Sequence, residues 1–513
     1  MKKIFLLSAL LCANIGFTED RFAQFCLNPG LESVPILADG RVVPLFTHAN
    51  RIKKQIFSSK NCSQFSATAL YCFLSFGQKQ EIFKNKSCQP VLKVNHQEAQ
   101  TLLGLNADEK ETSIEKISFS QNILINRYHA LKDKGLENSG LANDLAGILS
   151  SYEKLISIEK GEDWKILVSE NNWVALNTFK DQTEEKILSS NHYLNVSEKR
   201  NLTLETIYEK TQPFSWAVLI ALAGFLFSVL SVYQRKFYPY SLISLSLLFV
   251  IEIFGIVLRV TVSGRGPVTN MYETVMWSGF IAFFISSLLG LKWKNAKILA
   301  AGFAGNAICF FMMKFATGML DSTIQPLVPV LRDNFWLSTH VTSITFSYGC
   351  FFLSWIVANA LLINFIFKNK KSHFVHSLNE WNRFLRVAIQ IGSVFLAAGV
   401  LLGGIWADYS WGRFWGWDPK ETWSLISLIV YVMILHGRYV GWFKDIVFTM
   451  ITAFGFMFIL MAWFGVNYIL ATGLHSYGFS SGGALFLAII FLAQLSVLGV
   501  ACILNMKTIS SAR

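Results

Sequence analysis

The sequence is 513 residues long, 53% of the residues are hydrophobic, and the mean hydropathy is +0.41. These values exclude an entirely water-soluble chain, although Lys, Asp and Glu crowd the first 210 residues. The formal charge of +12 would suit a nucleic-acid partner. Much of the basic excess lies in short loops between apolar runs, however, where it indicates membrane topology instead. We therefore expect a soluble part, a membrane part and no nucleic-acid partner.

Residues 1–18 have the pattern of an export signal. Two lysines precede an apolar run from Ile4 to Ala13, and polar residues begin at Thr18. The apolar run is too short to be interpreted first as a membrane span. The pattern predicts that residues 19–210 form an exported soluble domain.

The predicted exported domain contains an even number of cysteines and no CxxC spacing of the kind that binds zinc. An oxidising compartment favours disulfides over a metal site, and the sequence leaves three pairings open. The cysteines concerned are Cys26, Cys62, Cys72 and Cys88.

The same domain is predicted to be α+β or mostly α. Residues 34–44 alternate and turn like a small β element, and residues 122–134 and 142–160 have helical spacing with many charges. Four histidines are scattered along this part of the sequence, which favours surface or helix-capping roles over metal binding. They are His48, His96, His129 and His192.

From residue 211 to residue 513 the sequence is a series of apolar runs, each long enough to cross a hydrocarbon core of about 30 Å. We therefore expect an all-α polytopic membrane protein with about nine transmembrane helices after the signal peptide. The predicted spans are 213–232, 240–260, 272–291, 297–314, 340–367, 385–405, 421–437, 445–469 and 483–505.

The charges of the connecting loops predict the orientation of these spans. If the soluble domain lies outside, the basic loops near residues 235, 294, 370 and 440 all fall on the cytoplasmic side. We therefore expect a bacterial inner membrane protein whose soluble domain and whose loop 405–421 lie on the periplasmic side.

A compact polar signal precedes the third predicted span. Asn270 and Glu273 have the spacing of a capping box, which predicts a helix start on the outer side. Arg259, Arg265 and Arg413 are outer-face cations that could meet the propionates of a bound haem. Ordinary contacts with lipid headgroups are the alternative.

Three tryptophans stand within seven residues of the outer loop 405–421: Trp411, Trp415 and Trp417. Gly412 and Gly416 separate them, and Asp418 is the predicted N-cap of the next helix, followed by Pro419 and Glu421. This surface could take a large flat apolar ligand against its face. The alternative is an interfacial aromatic belt that serves for anchoring alone.

Two histidines, His340 and His475, enter the predicted outer face from before and after the tryptophan loop. Two imidazoles beside an aromatic platform form the pattern of axial ligands to haem iron, although a lone interfacial histidine is usually only hydrogen-bonded. His436 lies on the seventh span, about 25 Å from the platform. An ionisable residue in a span is a functional candidate, and a snorkelling inner residue is the alternative.

At these residues the sequence resembles the CcsA/ResC subunit of the System II cytochrome c synthetase, in the haem-handling membrane protein family named for a WWD motif. Residues 411–421 are similar to that motif, and the segments around His340 and His475 to its two external-histidine segments. The segment around His436 resembles the membrane-histidine segment, and residues 270–273 another family stretch. The similarity covers about residues 210–505.

The resemblance implies that haem b is a transported substrate, which His340 and His475 ligate beneath the WWD surface of Trp411, Trp415, Trp417 and Asp418. It implies that His436 is one of two internal ligands and that a CcsB/ResB-like subunit supplies the other. The haem vinyl groups are then joined to the cysteines of CxxCH in an exported apocytochrome c. No side chain of this chain is assigned as a catalytic nucleophile.

Related classes remain open at this point. A haem exporter of the CcmC or CcmF type would use the same histidines and form no covalent product. An electron-transfer cytochrome would need paired histidines within the spans, and only His436 is predicted to lie deep.

Overall fold

A computed structural model describes residues 24–57, 62, 65–77, 90–106, 108–136, 140–179, 183–316, 319–326, 333–368, 372–470 and 483–510, without side-chain placement at 368, 372–377 and 507–510. The chain divides by its internal contacts into two compact units, Met1–Thr211 and Gln212–Arg513. The predicted signal, residues 1–18, lies outside the described residues, so its export role stays a prediction.

The described part of the first unit is mostly helical and contains three small antiparallel β ladders. Strand β1 pairs with β2, β3 with β4, and β5 with β6. The strands are β1 Pro35–Ala38, β2 Arg41–Pro44, β3 Val91–Lys93, β4 Glu111–Ser113, β5 Lys165–Ser169 and β6 Asn172–Ala175. The helices are α1 Leu45–Ile56, α2 Ala67–Ser75, α3 Gln97–Leu102, α4 Ile114–Asp133, α5 Gly140–Glu159, α6 Thr183–Ser189 and α7 Val196–Thr211.

Local sequence signals explain several of these elements. The β1–β2 hairpin turns at Asp39 and Gly40, which both have positive φ, as a two-residue hairpin of the favoured type requires. This confirms the β element predicted at residues 34–44. Helices α4 and α5 likewise confirm the helical spacing predicted for residues 122–134 and 142–160.

A disulfide between Cys26 and Cys72 ties the start of the first unit to α2, with the two Cα atoms 5.5 Å apart. Cys62 is disulfide-bonded as well, and Cys88 lies outside the described residues. Disulfides rather than a metal site are therefore what these cysteines form where the structure describes them.

The expectation of surface or capping histidines is wrong for His48. Its side chain is only 2% exposed, and its Nε2 lies 2.9 Å from Asp163 Oδ2. Lys154 also pairs with Asp163, and the Tyr71 hydroxyl donates to Asp163 at 2.9 Å. By contrast, His96 accepts from Glu98 N as the N-cap of α3. The sequence does not predict this buried contact, because His48 and Asp163 are 115 residues apart.

The second unit is a bundle of long helices, and the all-α polytopic membrane fold is confirmed. Among the described residues of this unit, two segments are π-helical: Leu337–Val341 precedes one long helix and Met461–Leu470 follows another. The helices are α8 Pro213–Tyr233, α9 Tyr238–Ser263, α10 Met271–Lys292, α11 Ala296–Phe315, α12 Thr342–Lys368, α13 Ser372–Trp411, α14 Pro419–Tyr439, α15 Asp445–Leu460 and α16 Gly483–Ser510.

Eight helices in the described part of the chain are long and apolar enough to cross a membrane, one fewer than predicted. The difference is α14, which covers the predicted span 421–437 but is not among the eight. Its 21 residues begin at Pro419, with Lys420 and Glu421 in the first turn and His436 and Arg438 in the last. These polar ends lower its mean hydropathy, although its middle is apolar and it packs against α13 and α15.

Candidate functional site

A cavity lies within the second unit where the ends of several helices meet. Its walls come from residues 268–274 at the start of α10, 337–348 at the start of α12 and 400–406 of α13. Residues 414–424 and 462–467 complete it. The structure thus brings together the predicted capping stretch at Asn270, His340 and part of the tryptophan loop.

Two local caps fix the chain around this cavity. Asn270 accepts from Glu273 N through its side chain, and Asp418 and Glu421 form a complete capping box with Pro419 at the first helical position. Both helix starts were predicted from sequence, and both are confirmed. Asp418 is 6% exposed and caps α14, so its side chain serves the backbone at the cavity edge.

Glu421 holds the tryptophan loop by several bonds at once. Its carboxylate accepts from Gly416 N at 2.7 Å, from Asp418 N at 3.2 Å and from the Arg413 guanidinium at 3.2 Å. The guanidinium also lies 5.6 Å from the Trp411 ring centroid. A single carboxylate therefore neutralises the loop cation and satisfies two loop amides, which fixes the loop relative to α14.

The three tryptophans do not form one flat surface. Trp415 lines the cavity, and its ring lies 6.0 Å from the Trp417 ring at an interplanar angle of 87°. Trp417 is 70% exposed, has a φ of +58° and does not line the cavity. Trp411 ends α13 beneath Arg413. Of the three, Trp415 alone is on the cavity wall.

His340 stands in the π-helical segment and lines the cavity. Its Nδ1 lies 2.8 Å from the carbonyl oxygen of Gly399 in α13, and its ring lies 5.8 Å from the Trp406 ring. A carbonyl oxygen can only accept, so Nδ1 must carry the hydrogen and donate it. In the neutral imidazole the lone pair is then on Nε2, the arrangement that metal-ligating histidines usually have.

The arginines suggested as propionate partners are engaged with protein groups. Arg259 is fully buried, donates to Glu273 Oε1 at 2.7 Å and to the Ser322 carbonyl at 2.9 Å, and stacks on Tyr272. Arg413 pairs with Glu421. Arg259 is therefore a structural link between α9, the start of α10 and residues 322–323, and the propionate interpretation of it is wrong.

His436 is not brought near His340. It lies in the last turn of α14, about 25 Å along the helix from Asp418. Its side chain is exposed on the bundle surface, and its ring meets Trp442 edge-on at 5.8 Å. His475 lies outside the described residues, so its role as a second ligand beside His340 stays a prediction.

Sequence reasoning missed the α13 face of the cavity. Three glycines and one tryptophan of α13 lie against His340 or against Phe414 of the loop. They are Gly399, Gly403, Gly404 and Trp406. The available signal was the small-residue spacing Gly399-Val-Leu-Leu-Gly403-Gly404, which permits close approach to a helix. A local pattern of this kind does not identify the side chain that approaches.

Fold and site together define a multi-pass membrane protein with a histidine-bearing cavity beside a tryptophan loop. The family described as Cytochrome C assembly protein matches residues 266–475. The sequence is 32% identical over 260 residues to the cytochrome c biogenesis protein CcsA of Chlorella vulgaris, covering 44% of this chain and 81% of that one. The chain therefore belongs to the CcsA family of cytochrome c biogenesis proteins.

Other relatives differ in how much of their length is matched. Protein NrfI of Wolinella succinogenes is 40% identical over 239 residues, which are 45% of this chain and 25% of that protein. CcsA of Chlamydomonas reinhardtii is 35% identical over 226 residues, 42% of this chain and 62% of that one. The chain thus spans a quarter and about three fifths of these two relatives.

One solved structure was also similar. The cytochrome c haem lyase CcmF aligns with 58% of this chain and 50% of its own, at 16% identity and a TM-score of 0.41.

Proposed function

We propose that this chain carries haem b, as a transported substrate, to the outer face of a bacterial inner membrane and presents it for covalent attachment. The soluble unit and the loop 405–421 would lie on the periplasmic side. The observation that carries the proposal is the hydrogen bond from His340 Nδ1 to the Gly399 carbonyl, in a cavity beside Trp415. It supports Nε2 of His340 as an axial ligand to haem iron.

The size of the cavity constrains how a porphyrin would sit. The cavity volume is about 180 Å³, close to that of a cavity known to bind a single aromatic ring. We therefore place one edge of the porphyrin in the cavity at His340 and Trp415, and the rest against the loop that Glu421 holds. His475 would ligate the opposite face of the iron.

The chemistry proposed at this site is the addition of two thiols to two vinyl groups. In each addition the cysteine sulfur bonds to one vinyl carbon and its hydrogen goes to the other, with no net oxidation. The thiols belong to CxxCH of an exported apocytochrome c. No described residue that lines the cavity is a cysteine. The contribution of this chain is therefore positioning and iron ligation.

A CcsB/ResB-like membrane subunit is the proposed partner at the other end of the bundle. His436 is exposed there, and a six-coordinate haem in transit would need a second histidine at its depth. No other histidine with a described side chain lies in the second unit apart from His340. The substrate histidine of CxxCH would finally displace His340 or His475 and release the product.

Coexpression with an exported CxxCH reporter tests this function, in a bacterial host without its own cytochrome c maturation. With the companion subunit, we expect covalent haem on the reporter that survives denaturing electrophoresis. Without it, we expect almost none. Accumulation of haem outside the membrane with an unmodified reporter would instead support the alternative, a CcmC- or CcmF-like exporter without ligation activity.

A further inference from the structure

The contact between α13 and His340 depends on the absence of a side chain at Gly403. A Cβ at this position would lie 2.6 Å from His340 Cε1 and 3.0 Å from Nδ1. These distances are far below ordinary van der Waals contact, so any other residue would push the imidazole away from α13. Gly399 lies one helical turn before Gly403 on α13. The absence of a side chain at Gly403 therefore permits His340 to reach the Gly399 carbonyl.

The Gly399 carbonyl can serve the imidazole without leaving its helix. A carbonyl oxygen has two lone pairs and can accept from His340 Nδ1 beside an intrahelical donor. The imidazole reaches it from a π-helical turn, Leu337–Val341, at the start of α12. Such turns occur frequently at functional sites. The π-helical turn therefore carries the imidazole, while Gly399 and Gly403 of α13 fix where its ring lies.

We propose that Gly399 and Gly403 are positioning residues, which select the tautomer and ring orientation of His340 so that Nε2 faces the iron. This inference rests on the proposed haem ligation by His340. If Gly403 served packing alone, its substitution would lower the stability of the fold and leave the haem ligation by His340 unchanged. The two roles therefore separate in the spectrum of the bound haem.

The first test is Gly403→Ala in the full chain, coexpressed with its companion subunit. We expect about tenfold less low-spin haem per purified molecule. This is the lower end of the range of losses seen when a group that orients a metal-ligating histidine is changed. Gly392→Ala is the matched control, because Gly392 lies on the same helix, α13, but away from the cavity, and its Cβ would lie 2.8 Å from the ring of Phe351 on α12. This variant should keep the low-spin spectrum of each folded molecule.

A chemical test avoids the risk that Gly403→Ala does not fold. In His340→Gly, added imidazole can fill the vacated position, ligate through one nitrogen and donate its N–H to the Gly399 carbonyl. 1-Methylimidazole can ligate equally but has no N–H to donate. We expect imidazole to restore the low-spin spectrum at about a tenfold lower concentration than 1-methylimidazole.

The outcomes separate this inference from the proposed function. Equal potency of the two imidazoles, or a wild-type spectrum in Gly403→Ala, would overturn the positioning role while His340 remained a ligand. A wild-type haem spectrum in His340→Gly without any added imidazole would overturn the ligation itself.

Discussion

Each unit of the molecule holds a histidine in a different environment: His48 is buried and His340 is half-buried. His48 in the first unit is sealed at 2% exposure against the carboxylate of Asp163, which Lys154 and Tyr71 also contact. His340 in the second unit faces a backbone carbonyl and lines a cavity. The first arrangement engages the imidazole with a buried carboxylate, whereas the second places the imidazole on a cavity wall with the hydrogen on Nδ1.

The hydrogen-bond partner of a histidine and the space around it therefore indicate its role better than its exposed fraction does. A carboxylate network in a closed core favours structural stabilisation, because removing one member leaves others buried and unpaired. A carbonyl partner fixes a neutral tautomer without adding charge. We therefore expect substitutions at the two histidines to affect different properties.

The largest expected effect is that of His340→Ala on function. Because the proposed axial ligand is removed, we expect covalent haem on the CxxCH reporter to fall below detection while the membrane level of the chain stays near normal. His48→Ala should do the reverse, destabilising the first unit by about 3 kcal/mol through the broken buried pair. Haem staining and pulse proteolysis measure the two effects. A maturation defect of the same size in folded His48→Ala would contradict the claim that the two histidines affect different properties.

The next effect in size concerns His436. Because it is exposed on α14 and is the proposed entry ligand, His436→Ala should remove most haem from the external site as well, since supply precedes capture. His129→Ala, an exposed histidine of the first unit, is the control. Haem content of the purified complex checks this, and a normal content in His436→Ala would show that haem arrives by another route.

A smaller effect is expected at the tryptophan loop. Glu421→Gln removes the charge that pairs with Arg413 and weakens bonds to two loop amides. We expect the loop to open about tenfold more often, equivalent to about 1.4 kcal/mol. The rate of trypsin cleavage after Arg413 measures this opening. Asp408→Asn changes an exposed carboxylate nearby and should leave the cleavage rate unchanged.

The acid sensitivity of the first unit is an effect intermediate in size between those at His48 and at the tryptophan loop. Burial raises the pKa of Asp163, but hydrogen bonding and charge from His48 and charge from Lys154 outweigh it and hold the pKa at about 2, below the ordinary 3.8. Ionised Asp163 therefore stabilises the fold above pH 4, and this contribution of about 2 kcal/mol is lost as the pH falls from about 4 to about 2. Proteolytic stability against pH should show the step, and Asp163→Asn should lack it.

Much of the membrane unit follows from local sequence rules. The caps at Asn270 and Asp418 were predictable because their signals span four residues. The apolar runs likewise located the helices, although the polar ends of α14 separate it from the other eight. Both kinds of signal depend on residues adjacent in the chain.

The features that were missed depend on tertiary contacts. His340 and Gly399 are 59 residues apart, and nothing local to either predicts their hydrogen bond. Trp417 has a positive φ and is exposed, and neither its backbone state nor its exposure follows from the spacing of the three tryptophans. The expectation for His48 was wrong for the same reason, since Asp163, which contacts it, lies 115 residues away in the loop between α5 and β5.

The most direct test of the central claim is electron paramagnetic resonance of ferric haem bound to the full chain with its companion subunit. Ligation by His340 predicts a low-spin signal in the wild-type protein and in His48→Ala, and its replacement by a high-spin signal in His340→Ala. An unchanged low-spin signal in His340→Ala would contradict the assignment of His340 as the ligand and, with it, the proposed site.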